Sequence, residues 1–144
     1  MSTTITAANI SILLTVEELY PSGVTIEKFS TDGMFDSDNT DIAVVRMSVD
    51  KKLAYGYVAN PISFKLKLEA DSPSVKYLEN IVKHQDINRT CYKCRLDISI
   101  PGIQKTYSLI DGILQNVPKL LSAEKVLKPT EWNFMFEDCD KSND

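Results

Sequence analysis

Two stretches of this chain alternate so strictly that they set the class of fold. In "ISFKLKLE", Ile62, Phe64, Leu66 and Leu68 alternate with Ser63, Lys65, Lys67 and Glu69. In "CYKCRLDISI", Tyr92, Cys94, Leu96, Ile98 and Ile100 alternate with Lys93, Arg95, Asp97 and Ser99. Successive side chains of a strand point to opposite faces, so each stretch reads as a strand wet on one face and buried on the other. That habit belongs to antiparallel sheets, because parallel strands are covered on both faces and read as continuous apolar runs. The first strand then hands over to a helix signal. Ser72 can cap, Pro73 suits the first helical position, and Val75, Leu78 and Val82 share one face with Ile81 beside them. A helix over 72–84 is therefore expected to cover part of the sheet.

Further strands follow from the same period. "PG" at Pro101 and Gly102 turns the chain so that "IQKTYSLI" runs back beside its predecessor as a hairpin. "TEWNFMFED" places Trp132, Phe134 and Phe136 on one side, as an aromatic strand. At the front, Ile10, Ile12, Leu14 and Val16 alternate, "YPSG" reads as a turn, and "VTIEKF" begins a further strand. "DIAVVRMSV" and "LAYGYV", joined by "DKK", read as another hairpin, with Gly56 weakening the second arm or marking a bulge. Between Leu114 and Lys128 the prolines interrupt any period, and "SAEKVL" reads as a helical turn or a loop. The sum is about eight strands and one helix, an antiparallel β-sandwich or partly closed barrel with a flanking helix.

At 144 residues, 43% hydrophobic and 25% charged, the chain is long enough for one core and short for two, so one domain is expected over 1–137. The polar end "EDCDKSND" reads as a flexible acidic tail over 138–144. A net charge of −4 without a Lys or Arg cluster disfavours tight nucleic-acid binding by one copy. The apolar run "ISILLTV" lacks the basic flank and length of a signal peptide, and nothing approaches a membrane span. Three cysteines, an odd number, then suggest reduced thiols.

Chemistry has few seats. "CYKC" offers one pair of thiols where a structural zinc needs about four ligands, and the alternation sets Cys91 and Cys94 on opposite faces. One buried and one surface thiol is the expected outcome. "STDGMFDSDNTD" gathers Asp32, Asp36, Asp38 and Asp41, but counting from Asp36 puts Asp41 where an EF-hand needs Gly and Met47 where it needs Glu. A solvated acidic loop is the plainer reading. His84, the single histidine, sits near the end of the expected helix, and neither a phosphate loop nor a nucleophile elbow is visible. No catalytic residue, cofactor or metal is expected.

Taken in order, "SGVTIEKFSTDGMFDSD", the strand running into "SPSVKYLENI", the "PG" hairpin followed by "DG", and the aromatic "WNFMFED" resemble tail-tube-like proteins of contractile-tailed bacteriophages over roughly Thr4 to Glu137. The resemblance implies a virion structural protein forming hexameric rings that stack into the tail tube. The tube would line the channel for genome ejection, with tail sheath, tape-measure and baseplate proteins as partners and double-stranded DNA in transient passage. It implies assembly in the host cytoplasm and no membrane. A baseplate initiator or a terminator ring of the same fold fits equally. A monomeric β-sandwich module binding a peptide, glycan or ion is the rival from another class, and an enzyme comes third.

A duplex sliding through a tube should meet no attractive phosphate sites, since each would act as a brake. Lys65, Lys67, Lys93 and Arg95 are therefore expected at neighbouring subunits or facing a sheath, with acidic side chains in the channel. Asp32, Asp36, Asp38 and Asp41, with Lys51 and Lys52 at the tip of the "VDKKLA" turn, are the expected contacts between rings.

Overall fold

Both alternating stretches are strands in the computed structural model, which describes residues 10–27, 29, 34–120 and 127–143. In chain order these residues form β1 (Ser11–Val16), β2 (Tyr20–Thr25), β3 (Phe35–Asp36), β4 (Ala43–Met47), β5 (Leu53–Tyr57), β6 (Ile62–Leu68), α1 (Val75–Asn88), β7 (Cys94–Ile100), β8 (Lys105–Asn116), β9 (Thr130–Phe136) and β10 (Asp138–Asn143). Eight strands make one antiparallel sheet in the order β2-β1-β7-β8-β9-β6-β3, with β10 also paired to β8; β4 and β5 pair only with each other. The sheet does not close. Its halves bury Ile12, Leu14 and Val16 on one side and Phe64, Leu66, Trp132, Phe134 and Phe136 on the other in one hydrophobic cluster, to which α1 adds Val75, Leu78 and Ile81. This is the expected sandwich with a flanking helix, built mainly of β-structure.

The long strand β8 belongs to both halves. Its first part, from Lys105 to Ile110, pairs with β10, while Ile113 and Leu114 pair with β9. The strand turns at Asp111, whose φ is 51°, and passes beneath Phe136 at Gly112. A Cβ on Gly112 would lie 2.1 Å from Phe136 Cδ1, so only a glycine lets the strand through here.

Three local expectations shift. The helix begins at Val75 rather than at 72 and runs past His84 to Asn88. Ser72 does not cap it as the sequence suggested: its Oγ donates to the Glu27 carbonyl, and the Oγ of Ser74, the residue before the helix, accepts the backbone N–H of Glu27 at 2.7 Å. Their hydroxyls therefore tie the helix start to the chain leaving β2. "YPSG" is not the turn; the chain turns earlier, where Leu19 N–H meets the Val16 carbonyl, and Tyr20–Thr25 is an edge strand. An edge tolerates Pro21, which cannot donate, and Gly23, whose φ is 84°. Residues 138–143, expected as flexible tail, form β10 because β8 offers them an open row of backbone groups. Most of "SAEKVL", at 122–126, lies outside the described residues. No helix among those described is long and apolar enough to cross a membrane.

Candidate functional site: assembly surfaces

The most conspicuous surface is the β4–β5 hairpin. Its turn is built by Ser48, whose N–H and hydroxyl both donate to the Lys52 carbonyl at 2.9 Å, and by Lys51, whose φ of 65° supplies the left-handed residue that a three-residue loop needs. Gly56 pairs regularly with Val44, so it marks no bulge. The cross-strand pairs Ala43 with Tyr57, Val45 with Tyr55 and Met47 with Leu53 line up one face, and Ile42 and Val44 lie among the remaining exposed apolar groups. Every residue of both strands is exposed; Tyr57 keeps 87% of its surface and Tyr55 79%. A two-stranded hairpin is marginal in water by itself, and contiguous exposed apolar surface marks an interaction site.

The acidic loop lies at the root of this hairpin. Asp32 falls outside the described residues. Asp36 ends β3, and its Oδ1 accepts the N–H of Ser37 at 2.8 Å. Asp38 N–H donates to Ser63 Oγ at 2.9 Å, and its carboxylate lies 3.6 Å from Lys65 Nζ. Asp41 contributes its backbone carbonyl, which accepts from Asn60 Nδ2 at 3.0 Å. These contacts stitch the loop to the start of β6 instead of aiming its carboxylates at one point. Among the described residues no group of three or more His, Cys, Asp and Glu is placed to hold a metal.

The cations fall at three separate places. Lys65 and Lys67 share the outer side of β6, opposite Asn133 and Glu131 of β9, and both are half-buried. Arg95, exposed on β7, grips Asp97 with Nε and a terminal nitrogen, and Ser108 Oγ donates to the same carboxylate at 2.9 Å. Lys93 Nζ stands 4.0 Å from Asp111. Lys51 and Lys52 sit at the exposed hairpin turn. Among the described residues the structure therefore brings Asp38 to Lys65 and sets Lys93 beside Arg95, but does not gather the expected site residues at one point. The "CYKC" pair separates as its alternation suggested: Cys91 is exposed, Cys94 is buried, and burial, with Glu18 adding its charge, pushes the Cys94 thiol up to about 12.

Sequence reasoning found the hairpin but did not find that its apolar residues stand exposed. The signal of that exposure was in "AVVRM", where Val44 and Val45 adjoin and no alternation selects a buried face. It also missed an open groove of about 800 Å³ between the hairpin root and β10, where Ile98, Ile100, Tyr107 and Leu109 line an apolar part and Asp38, Asn60, Glu137 and Lys141 are among the polar residues.

No curated protein matches the chain. Among solved structures, a chain of the 6-fold symmetrised baseplate of the anti-feeding prophage shares the fold with a TM-score of 0.60 at 9% identity, covering 99% of this chain and 98% of that one. A chain of the sheath-tube complex of the PVC extracellular contractile injection system, in its extended state, gives 0.58 at 7% identity, covering 98% and 93%. A chain of the tube-terminating cap of the anti-feeding prophage gives 0.56 at 7% identity, covering 100% and 94%. At such identities the likeness is one of fold. Residues 3–140 match the family described as Tail fiber protein gp32, a match that spans nearly the whole chain, and the protein belongs to that family.

Proposed function

We propose that this chain is a structural protein of a contractile tail, assembling as hexameric rings that stack around the channel through which the genome leaves. The observation that carries the reading is the β4–β5 hairpin, which leaves apolar side chains of two strands exposed in the single molecule. A surface of that kind needs a partner, and a repeated copy supplies one. The fold shared with baseplate, tube-complex and cap structures supports the reading, and the 6-fold symmetry of that baseplate suggests the ring size. The family description names a tail fibre; we take from it the tail, and from the fold the ring. A baseplate or terminator ring is the second reading, favoured by the likeness to baseplate and cap chains.

In this reading the hairpin tip with Lys51 and Lys52, and the loop carrying Asp32, Asp36, Asp38 and Asp41, meet neighbouring rings. Sheath, tape-measure and baseplate proteins are the further partners, in a virion assembled in the host cytoplasm. Lys65, Lys67, Lys93 and Arg95 face neighbours or the sheath. Lys65, Lys93 and Arg95 each have a carboxylate within 4.0 Å, which suits a particle that must let DNA pass without gripping it. Light scattering after size exclusion, with negative-stain microscopy of the same fractions, tests the proposal. Rings or tubes are expected; a monomer at every concentration, and no location in the tail when virions are imaged, would refute it.

A further inference from the structure

The strand edges of this molecule are not alike. The outer edge of β2 is blunted by Pro21 and by Gly23 at positive φ, and β3 is two residues long. Both are ordinary ways of refusing an extra strand. The hairpin strands carry no such guard beyond Arg46 and the lysines of the turn. β10 is the anomaly. Where β1, β6, β7 and β9 each bury alternate apolar side chains, β10 leaves Asp138, Asp140 and Lys141 exposed and Cys139 half-buried. Its composition, Asp-Cys-Asp-Lys-Ser-Asn, is drawn largely from residues depleted in strands.

β10 is thus held chiefly by its backbone pairing with β8, and it borders the groove at the apolar part formed by Ile98, Ile100, Tyr107 and Leu109. In register, Cys139 lies beside Leu109 and Lys141 beside Tyr107, so the strand presents a thiol and an ammonium stem where its β8 neighbours present apolar groups.

We infer that β10 is a removable cover on a strand-accepting edge of β8, and that a strand of the β4–β5 hairpin from a second copy replaces it. This rests on the self-assembly proposed above. The fit has three parts. A five-residue strand spans most of the six-residue edge that β10 covers. Leu53, Tyr55 and Tyr57 recur every second residue, as do Tyr107 and Leu109, and would fill the groove with apolar surface. The exchange is also head-to-tail, since the donor and acceptor lie on different parts of the chain, so it propagates from copy to copy and closes as a ring when the rotation allows. The polar cover keeps the acceptor edge from pairing before a neighbour arrives.

The test uses the full chain and two kinds of variant. One ends at Glu137 and lacks β10. The others carry Ser108→Cys with Asp140→Cys, or Tyr107→Cys with Lys141→Cys, both in a Cys139→Ser background. These are successive antiparallel pairs, so one of the two crosslinks falls on the closer kind. Removing a cover raises apparent affinity by the inverse of the uncovered fraction, so the truncated chain should assemble at a concentration lower by about tenfold or more. The oxidised lock should form no rings and should recover them on reduction, which keeps the test valid should truncation cost stability. A locked chain that assembles as readily as the unlocked one overturns the inference and leaves the ring reading standing. So does a truncated chain, folded by its melting curve, that assembles no more readily than the full chain. If no form assembles under any condition, the ring reading fails and the inference falls with it.

Discussion

Replacing Gly112 with alanine puts one methyl group where the two halves of the sheet meet. The new Cβ would stand 2.1 Å from Cδ1, 2.5 Å from Cε1 and 2.7 Å from Cγ of Phe136. Carbon atoms rest at about 3.5–4.0 Å, so the ring or the strand must retreat by more than about 1 Å. The ring has little room, being 1% exposed, stacked on Phe134 at 5.8 Å between centroids and set edge-on to Phe64 at 6.5 Å. Forcing a methyl into so tight a place costs about 1–3 kcal/mol, or somewhat more. The φ of Gly112 is not positive, so alanine adds no backbone strain, and its stiffer unfolded chain returns about 0.4–1 kcal/mol. The net expectation is a loss of about 1–2 kcal/mol, read as a lower urea midpoint with unchanged slope. Shrinking the ring tests the cause: Gly112→Ala should cost far less in a Phe136→Leu background than in the parent chain. Equal costs in the two backgrounds, or a neutral single substitution, would show that the close approach is not what glycine serves.

Three further outcomes are expected. Tyr55→Ser with Tyr57→Ser removes exposed rings, so the melting temperature should hardly move while assembly measured by light scattering is lost. Thr130→Val removes the acceptor of the Trp132 indole N–H at 2.9 Å, together with the hydroxyl that donates to the Leu68 carbonyl, and should cost about 1–3 kcal/mol in urea unfolding. Burial raises the Cys94 thiol from its ordinary 9.0 to about 12. The unfolded thiol therefore ionises first, and the contribution of Cys94 to stability is complete below about pH 9 and lost as pH rises towards 12. Cys94→Ala should flatten that decline in a pH series, and a thiol reagent at pH 8 should label Cys91 long before Cys94.

The elements that could be read from the chain are those whose pattern is local. Alternation at Ile62–Leu68, Cys94–Ile100 and Thr130–Phe136 declares both strand and buried face, and all three bury the side expected. What escaped depended on distant partners. Ser72 looks like a helix cap, but its hydroxyl and that of Ser74 bind the backbone of Glu27, some 45 residues earlier, and the helix starts at Val75. Pro21 and Gly23 look like a turn until β1 offers Val24 and Thr25 a ladder. Residues 138–143 have the composition of a tail, and nothing local announces the open edge on β8 that orders them. The hairpin was legible as a hairpin, but its detachment was not, because a run of Val, Met, Leu and Tyr looks the same whether it awaits its own core or another molecule.

β8 runs for 12 residues through both halves of the sheet. Load applied to one layer therefore reaches the other along continuous main chain, and rows of cross-strand bonds pulled lengthwise resist together instead of peeling singly.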